Sequence, residues 1–139
     1  MNARSGDDLR KRILLRVAAQ RALVRSLLEQ REQLQGSLFA RYGECGKETC
    51  ACRQGRKHGP YYVLSLRSGG KGSFKYLDGA RLRRARGLVE RYKTFRRGLR
   101  RLRLVNLEIV RLLRRYQTEM TRKSGRRLGV APAVSGKNI

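Results

Sequence analysis

Ten residues in the C-terminal half of this chain alternate 3 and 4 apart without a slip: Ala85, Leu88, Tyr92, Phe95, Leu99, Leu102, Asn106, Ile109, Leu113 and Tyr116. That spacing holds one face of a helix in line over more than four heptads, so the segment folds as a long helix whose seam needs a partner. At 1.5 Å per residue the rod is about 50 Å long. Ala85 and Asn106 occupy equivalent a positions, where a polar residue sets register or strand number. Gly87 and Gly98 fall off this seam and weaken the helix by about 1 kcal/mol each relative to Ala.

The seam has two candidate partners. One lies in the same chain: from about Asp8 to Gln35 there is no Gly or Pro, and Leu, Ala, Arg, Gln and Glu predominate. These are strong helix formers. Asp7 and Asp8 sit where a cap or first-turn acid favours a helix start, and Gly36 offers a stop. Apolar residues recur at Leu9, Ile13, Val17, Val24, Leu27 and Leu34, with interruptions at Gln20 and Arg31. The other candidate is a second copy, giving a homodimer through Leu88, Tyr92, Phe95, Leu99, Leu102, Asn106, Ile109 and Leu113.

Between the helices the pattern changes to that of a β-hairpin. Pro60 to Arg67 is rich in β-formers and follows a Gly59-Pro60 break. Ser68-Gly69-Gly70-Lys71 reads as the turn, and Gly72 to Leu77 as the return strand. From Thr121 onward the periodicity stops and a basic Gly/Ala/Pro/Ser segment reads as a flexible tail. The expected architecture is therefore α+β, mainly α. It comprises an N-terminal helix over residues 1–35, a loop and hairpin over 36–79, an Arg-rich, coiled-coil-like helix over 80–120 and a disordered basic tail over 121–139.

Charge narrows the function classes. The 139 residues carry 35 Lys and Arg against 10 Asp and Glu, a formal charge of +25. Self-repulsion of that size opposes a compact monomer unless a polyanion shares the structure. Residues 80–116 hold fourteen basic and two acidic residues, and thirteen of the fourteen are Arg. Arginine pairs bidentately with phosphate and stacks on bases, which Lys cannot do. The partner expected is nucleic acid, DNA ahead of RNA, with a cytoplasmic, nucleoid-associated location. The apolar seam is too narrow for a lipid surface, and nothing suggests a small-molecule substrate. The candidate contacts on the helix are Arg83, Arg84, Arg96, Arg97, Arg100, Arg101 and Arg103. On the hairpin they are Tyr62, Arg67, Lys71 and Lys75, with Phe74 and Tyr76 either reading bases or packing in the core. A ribosome-associated or structured-RNA role shares all these features, and a coiled-coil assembly factor is the weaker alternative.

One constellation carries specific chemistry. All three cysteines and the only histidine fall within fourteen residues, as Cys45, Cys50, Cys52 and His58. Three thiolates and an imidazole suit a closed tetrahedral Zn²⁺ site, with no position left for a catalytic water. Gly43, Gly46, Gly55 and Gly59 permit tight turns around it, and Lys47, Arg53, Arg56 and Lys57 offset its negative charge. Free thiols and redox chemistry are the alternatives. The scattered acids give no paired carboxylates, and there is neither a nucleophile elbow nor a phosphate loop. The expectation is a non-enzyme with a structural zinc ion.

Several runs together resemble a family: Gly36-Ser37-Leu38, Arg41-Tyr42, Cys45 to Cys52 (CGKETCAC), His58 to Tyr62 (HGPYY) and Gly69 to Lys71 (GGK). They look like a small uncharacterised bacterial domain often met near mobile elements and transposases. The resemblance runs over about residues 36–116, continuing through Glu90-Arg91-Tyr92 and Phe95-Arg96. It implies that Cys45, Cys50, Cys52 and His58 act as a unit, and that the protein is an accessory or regulatory factor of a mobile element. It implies no activity.

Overall fold

The computed structural model describes residues 3–130. Helix α1 spans Ala3–Glu29 and is followed by strands β1 (Ser37–Gly43), β2 (His58–Ser68) and β3 (Lys71–Leu77). Helix α2 then runs through Gly79–Arg127. The α+β, mainly helical class expected from sequence is the one observed. The described residues fall into two compact units: one is built from residues 29–97, the other from the segments that flank it on either side. No helix among the described residues is long and apolar enough to cross a membrane.

In the unit formed by the flanking segments, α1 packs antiparallel on the C-terminal part of α2. Leu9, Leu27 and Leu112 are its buried hydrophobic side chains. The two polar interruptions of the apolar stripes meet each other: Gln20 donates from Nε2 to Oδ1 of Asn106 at 2.6 Å. Arg16 pairs with Glu108 at 2.9 Å nearby. The partner of this part of the seam is thus the chain's own first helix.

The phase of the α2 stripe differs from the expected one. Leu88, Tyr92, Phe95, Leu102 and Ile109 are half-buried, but Leu99, Asn106 and Leu113 are exposed. Their neighbours Gly98 and Leu112 are buried instead, and Val105 is half-buried. Gly98, expected off the seam, is on the packed face, where an added Cβ would collide with the Leu27 side chain. Gly6 plays the same part on α1: a Cβ there would come within 2.8 Å of Met120. At both places the glycine leaves room for a side chain of the facing helix, Leu27 or Met120, and this fit favours the observed phase.

That packing also moves the helix ends. Helix α1 begins at Ala3, so Asp7 and Asp8 lie within the helix and do not cap it. It stops at Glu29 rather than Gln35, and residues 30–36 leave the helix. Within the 29–97 unit the amide of Leu34 donates to the carbonyl of Leu88 at 3.1 Å. At the other end, residues 121–127 continue α2 where a tail was expected. The helix closes with Val130 donating to the carbonyl of Gly125 at 2.9 Å and Gly129 in the left-handed region at φ 69°, as a glycine-capped terminus does. The rest of the expected tail, residues 131–139, lies outside the described residues.

In the 29–97 unit the strands form one antiparallel sheet in the order β1-β2-β3. Gly69 and Gly70 form the β2–β3 turn with φ of 56° and 79°. Two successive positive φ values match the twist of a tight hairpin and strongly favour glycine. Strand β1 was not expected as a strand. It pairs with β2 through Phe39 opposite Val63 and Arg41 opposite Tyr61.

The close approach at Gly98 makes a paired prediction. Gly98→Val should destabilise the protein by about 1–3 kcal/mol through overpacking against Leu27. Gly87, with open space around it, should accept Ala with a gain of about 0.5–1 kcal/mol. Chemical denaturation of both variants measures the contrast, and equal effects at the two sites would contradict this packing.

Candidate metal centre

Cys45 follows the end of β1, and Cys50 precedes a single 3-10 turn, Ala51–Gln54, that carries Cys52. His58 opens β2. The turn is tied down by the amide of Cys50 donating to the carbonyl of Lys47 at 3.3 Å, and by that of Arg53 donating to Cys50 at 3.2 Å. Of the four glycines thought to shape the loop, only Gly55 (φ 108°) and Gly59 (φ 133°) adopt left-handed conformations. A Cβ at Gly59 would also sit 2.8 Å from the carbonyl oxygen of Arg41. The β1–β2 register shifts at this point, so that Gly43 pairs with His58. Such a bulge re-aims the side chain beside it, here the histidine.

The side chains of Cys45, Cys50, Cys52 and His58 converge. Their donor atoms all lie within 4.8 Å of one another. Sγ of Cys45 is 3.6 Å from Sγ of Cys52, and Sγ of Cys50 is 3.1 Å from Nε2 of His58. A metal–thiolate bond of about 2.3 Å gives a tetrahedron an edge of about 3.8 Å, so the donors are spaced for one four-coordinate ion. Cys52 is 1% exposed and the other three are half-buried. The cluster could hold a metal ion, and the donor set is complete without water.

The thiols differ in acidity. Hydrogen bonding from the Cys52 backbone amide, then from the Cys45, Cys52 and His58 side chains, lowers the Cys50 thiol to about 6. Burial pushes the Cys52 thiol above its ordinary value. Metal binding requires both as thiolates, so it must draw the proton from Cys52.

The candidate nucleic-acid residues are spread over the fold. Tyr62 is half-buried and turned toward α2, where the Arg86 guanidinium lies 5.4 Å above its ring. Arg67, Lys71 and Lys75 are exposed on the hairpin, as are Phe74 and Tyr76. On α2, Arg83, Arg96, Arg100, Arg101 and Arg103 are exposed, and so are Arg84 and Arg97. Arg97 is engaged by Glu90 at 2.8 Å and Arg84 lies 3.7 Å from Glu32. Phe39 and Arg41, not expected in a strand, lie in β1 opposite Val63 and Tyr61; the signal for that strand was the run of β-prone residues Leu38, Phe39 and Tyr42.

The chain belongs to the family described as Domain of unknown function (DUF6788), which matches residues 8–87. The match takes in all four donors, the whole sheet and the start of α2. Neither a curated protein nor a solved structure matches the chain.

One outcome is expected of the cluster. Elemental analysis of purified protein should give one metal ion per chain, and none after Cys52→Ser, with loss of amide-exchange protection in β1 and β2. Full protection without metal would contradict a structural role.

Proposed function

We propose that this protein is a non-catalytic nucleic-acid-binding factor, with DNA its first partner, and that its loop holds a structural zinc ion. Three thiolates and one imidazole match the ligand preference of zinc, and a saturated shell leaves no site for chemistry. An accessory or regulatory role for a mobile element follows from the resemblance of the Cys/His and HGPYY runs.

The observation that carries the reading is how α2 uses its charge. Its three acids, Glu90, Glu108 and Glu119, are already engaged by Arg97, Arg16 and Arg122. Exposed Arg100, Arg101 and Arg103 make no ion pair among the described residues. Unpaired guanidinium groups along a helix are available to phosphates. Each phosphate neutralised releases condensed counterions, so affinity falls steeply with salt. RNA is the second reading, favoured by the exposed rings of Phe74 and Tyr76, since stacking on aromatic side chains suits unpaired bases.

Titration of a labelled duplex over a salt series tests the proposal. Arg100→Ala, Arg101→Ala and Arg103→Ala combined should weaken binding and reduce the log–log salt slope by about 2–3. Tight binding with an unchanged slope would remove α2 from the interface.

A further inference from the structure

We infer that the outer face of the three-stranded sheet is a stacking platform for the unpaired bases of a single-stranded nucleic acid. The inference rests on the nucleic-acid reading and assigns it a second, chemically different surface.

Directly opposed residues in an antiparallel sheet share a face. The register therefore puts Phe39 and Arg41 of β1, Tyr61 of β2, and Phe74 and Tyr76 of β3 on one side, with Val63 at the centre. Arg67 extends the same face toward the hairpin turn. The opposite side carries Leu38, Leu64 and Leu66 beside Tyr62, and the Arg86 contact shows that this side is turned to α2. The sheet thus directs its aliphatic residues inward and its aromatic ones outward. Phe74 is 66% exposed and Tyr76 61%, and Phe39 and Tyr61 are also exposed, while Val63 between them is 2% exposed. The valine is thus covered while the rings around it stay open to solvent.

The chemistry of this face selects the occupant. The face carries no acidic residue, and its only aliphatic side chain is the buried Val63. Rings are interleaved instead with the guanidinium groups of Arg41 and Arg67. Arg41 donates from Nη1 to the Tyr76 hydroxyl at 3.3 Å, which braces that ring across the sheet. Residues two apart along a strand lie about 7 Å apart, so Phe74 and Tyr76 can each take a separate base. Every base has a π-face, so such stacking tolerates any sequence, and the adjoining arginines supply charge for the backbone. The surrounding segment, residues 36–79, has a net charge of +5, complementary to a polyanion. Duplex DNA hides its base faces and cannot use this surface.

At the end of the platform Tyr61 and Tyr76 also wall a cavity of about 560 Å³ shared with Pro60, Asp78 and Arg81. A base entering there would meet a carboxylate acceptor in Asp78 and a cation in Arg81.

The test compares labelled oligo(U), oligo(dT) and a duplex of mixed sequence, each titrated with zinc-loaded wild-type and variant protein. Phe74→Ala and Tyr76→Ala should each weaken binding to both single strands about tenfold, within the range for one stacked base. Duplex affinity and the salt slope should not change. Phe74→Tyr should keep wild-type affinity and Phe74→Leu should not, which separates stacking from mere apolarity. Both positions are exposed, and unchanged zinc content certifies the fold of each variant. A preference for oligo(U) over oligo(dT) would identify RNA as the source of the unpaired bases, and the reverse would identify DNA. Salt-sensitive binding that no aromatic substitution alters would overturn the platform and leave the charge-based reading standing. Failure of the wild type to bind any of the three probes would overturn both.

Discussion

The connection from β1 to β2 runs from Glu44 to Lys57 and has little apolar content with which to close itself. What closes it is the meeting of Cys45 with Cys52 and of Cys50 with His58. Closing a loop costs entropy that its own contacts must offset, and in this loop only the four donors make such contacts in number. Strand β1 is an edge strand, paired on one side only, so its place in the sheet depends on that closure. Phe39 and Arg41 reach the outer face only because β1 is held there. A cluster with no proposed chemistry of its own therefore fixes the geometry of a surface several residues away.

The second constraint is charge. A chain at +25 gains little from its exposed ion pairs, since such pairs contribute about 0–1 kcal/mol each. The structure instead spends its acids on fixing helices: Glu108 joins α2 to α1 through Arg16, and Glu90 pairs along α2 with Arg97. Apart from these and the pairs of Arg84 with Glu32 and Arg122 with Glu119, the arginines make no ion pair among the described residues. The uncompensated charge is thus a consequence of where the acids were placed as well as of their small number.

The metal cluster was legible in the sequence because its residue types are rare and confined: no other Cys or His exists to compete. The hairpin was legible because Gly69-Gly70 permits few alternatives. The phase of α2 was not. Hydrophobic periodicity ranks Leu99 above Gly98, whereas close helix packing at Leu27 demands the residue without a side chain. Strand β1 was hidden by Gly36, which looks like a helix stop but makes a close approach to Leu66 and to the carbonyl of Ser65, both at 2.9 Å from its would-be Cβ. The aromatic face was unreadable for a different reason. Alternation tells which residues share a side, but not which side the rest of the chain covers.

That choice of side bears on how the two proposed surfaces work together. Leaving several rings in water forgoes burial worth about 25 cal/mol per Å², and an exposed aromatic patch invites association between copies. Net charge opposes that association, because like-charged molecules repel. A polyanion bound only along α2 would cancel the repulsion and leave the rings bare, favouring aggregation. A polyanion that also lays its bases on Phe39, Phe74 and Tyr76 removes both liabilities at once. On this reasoning the charged helix and the aromatic sheet each suit a different part of the same class of ligand, the backbone for the first and unpaired bases for the second.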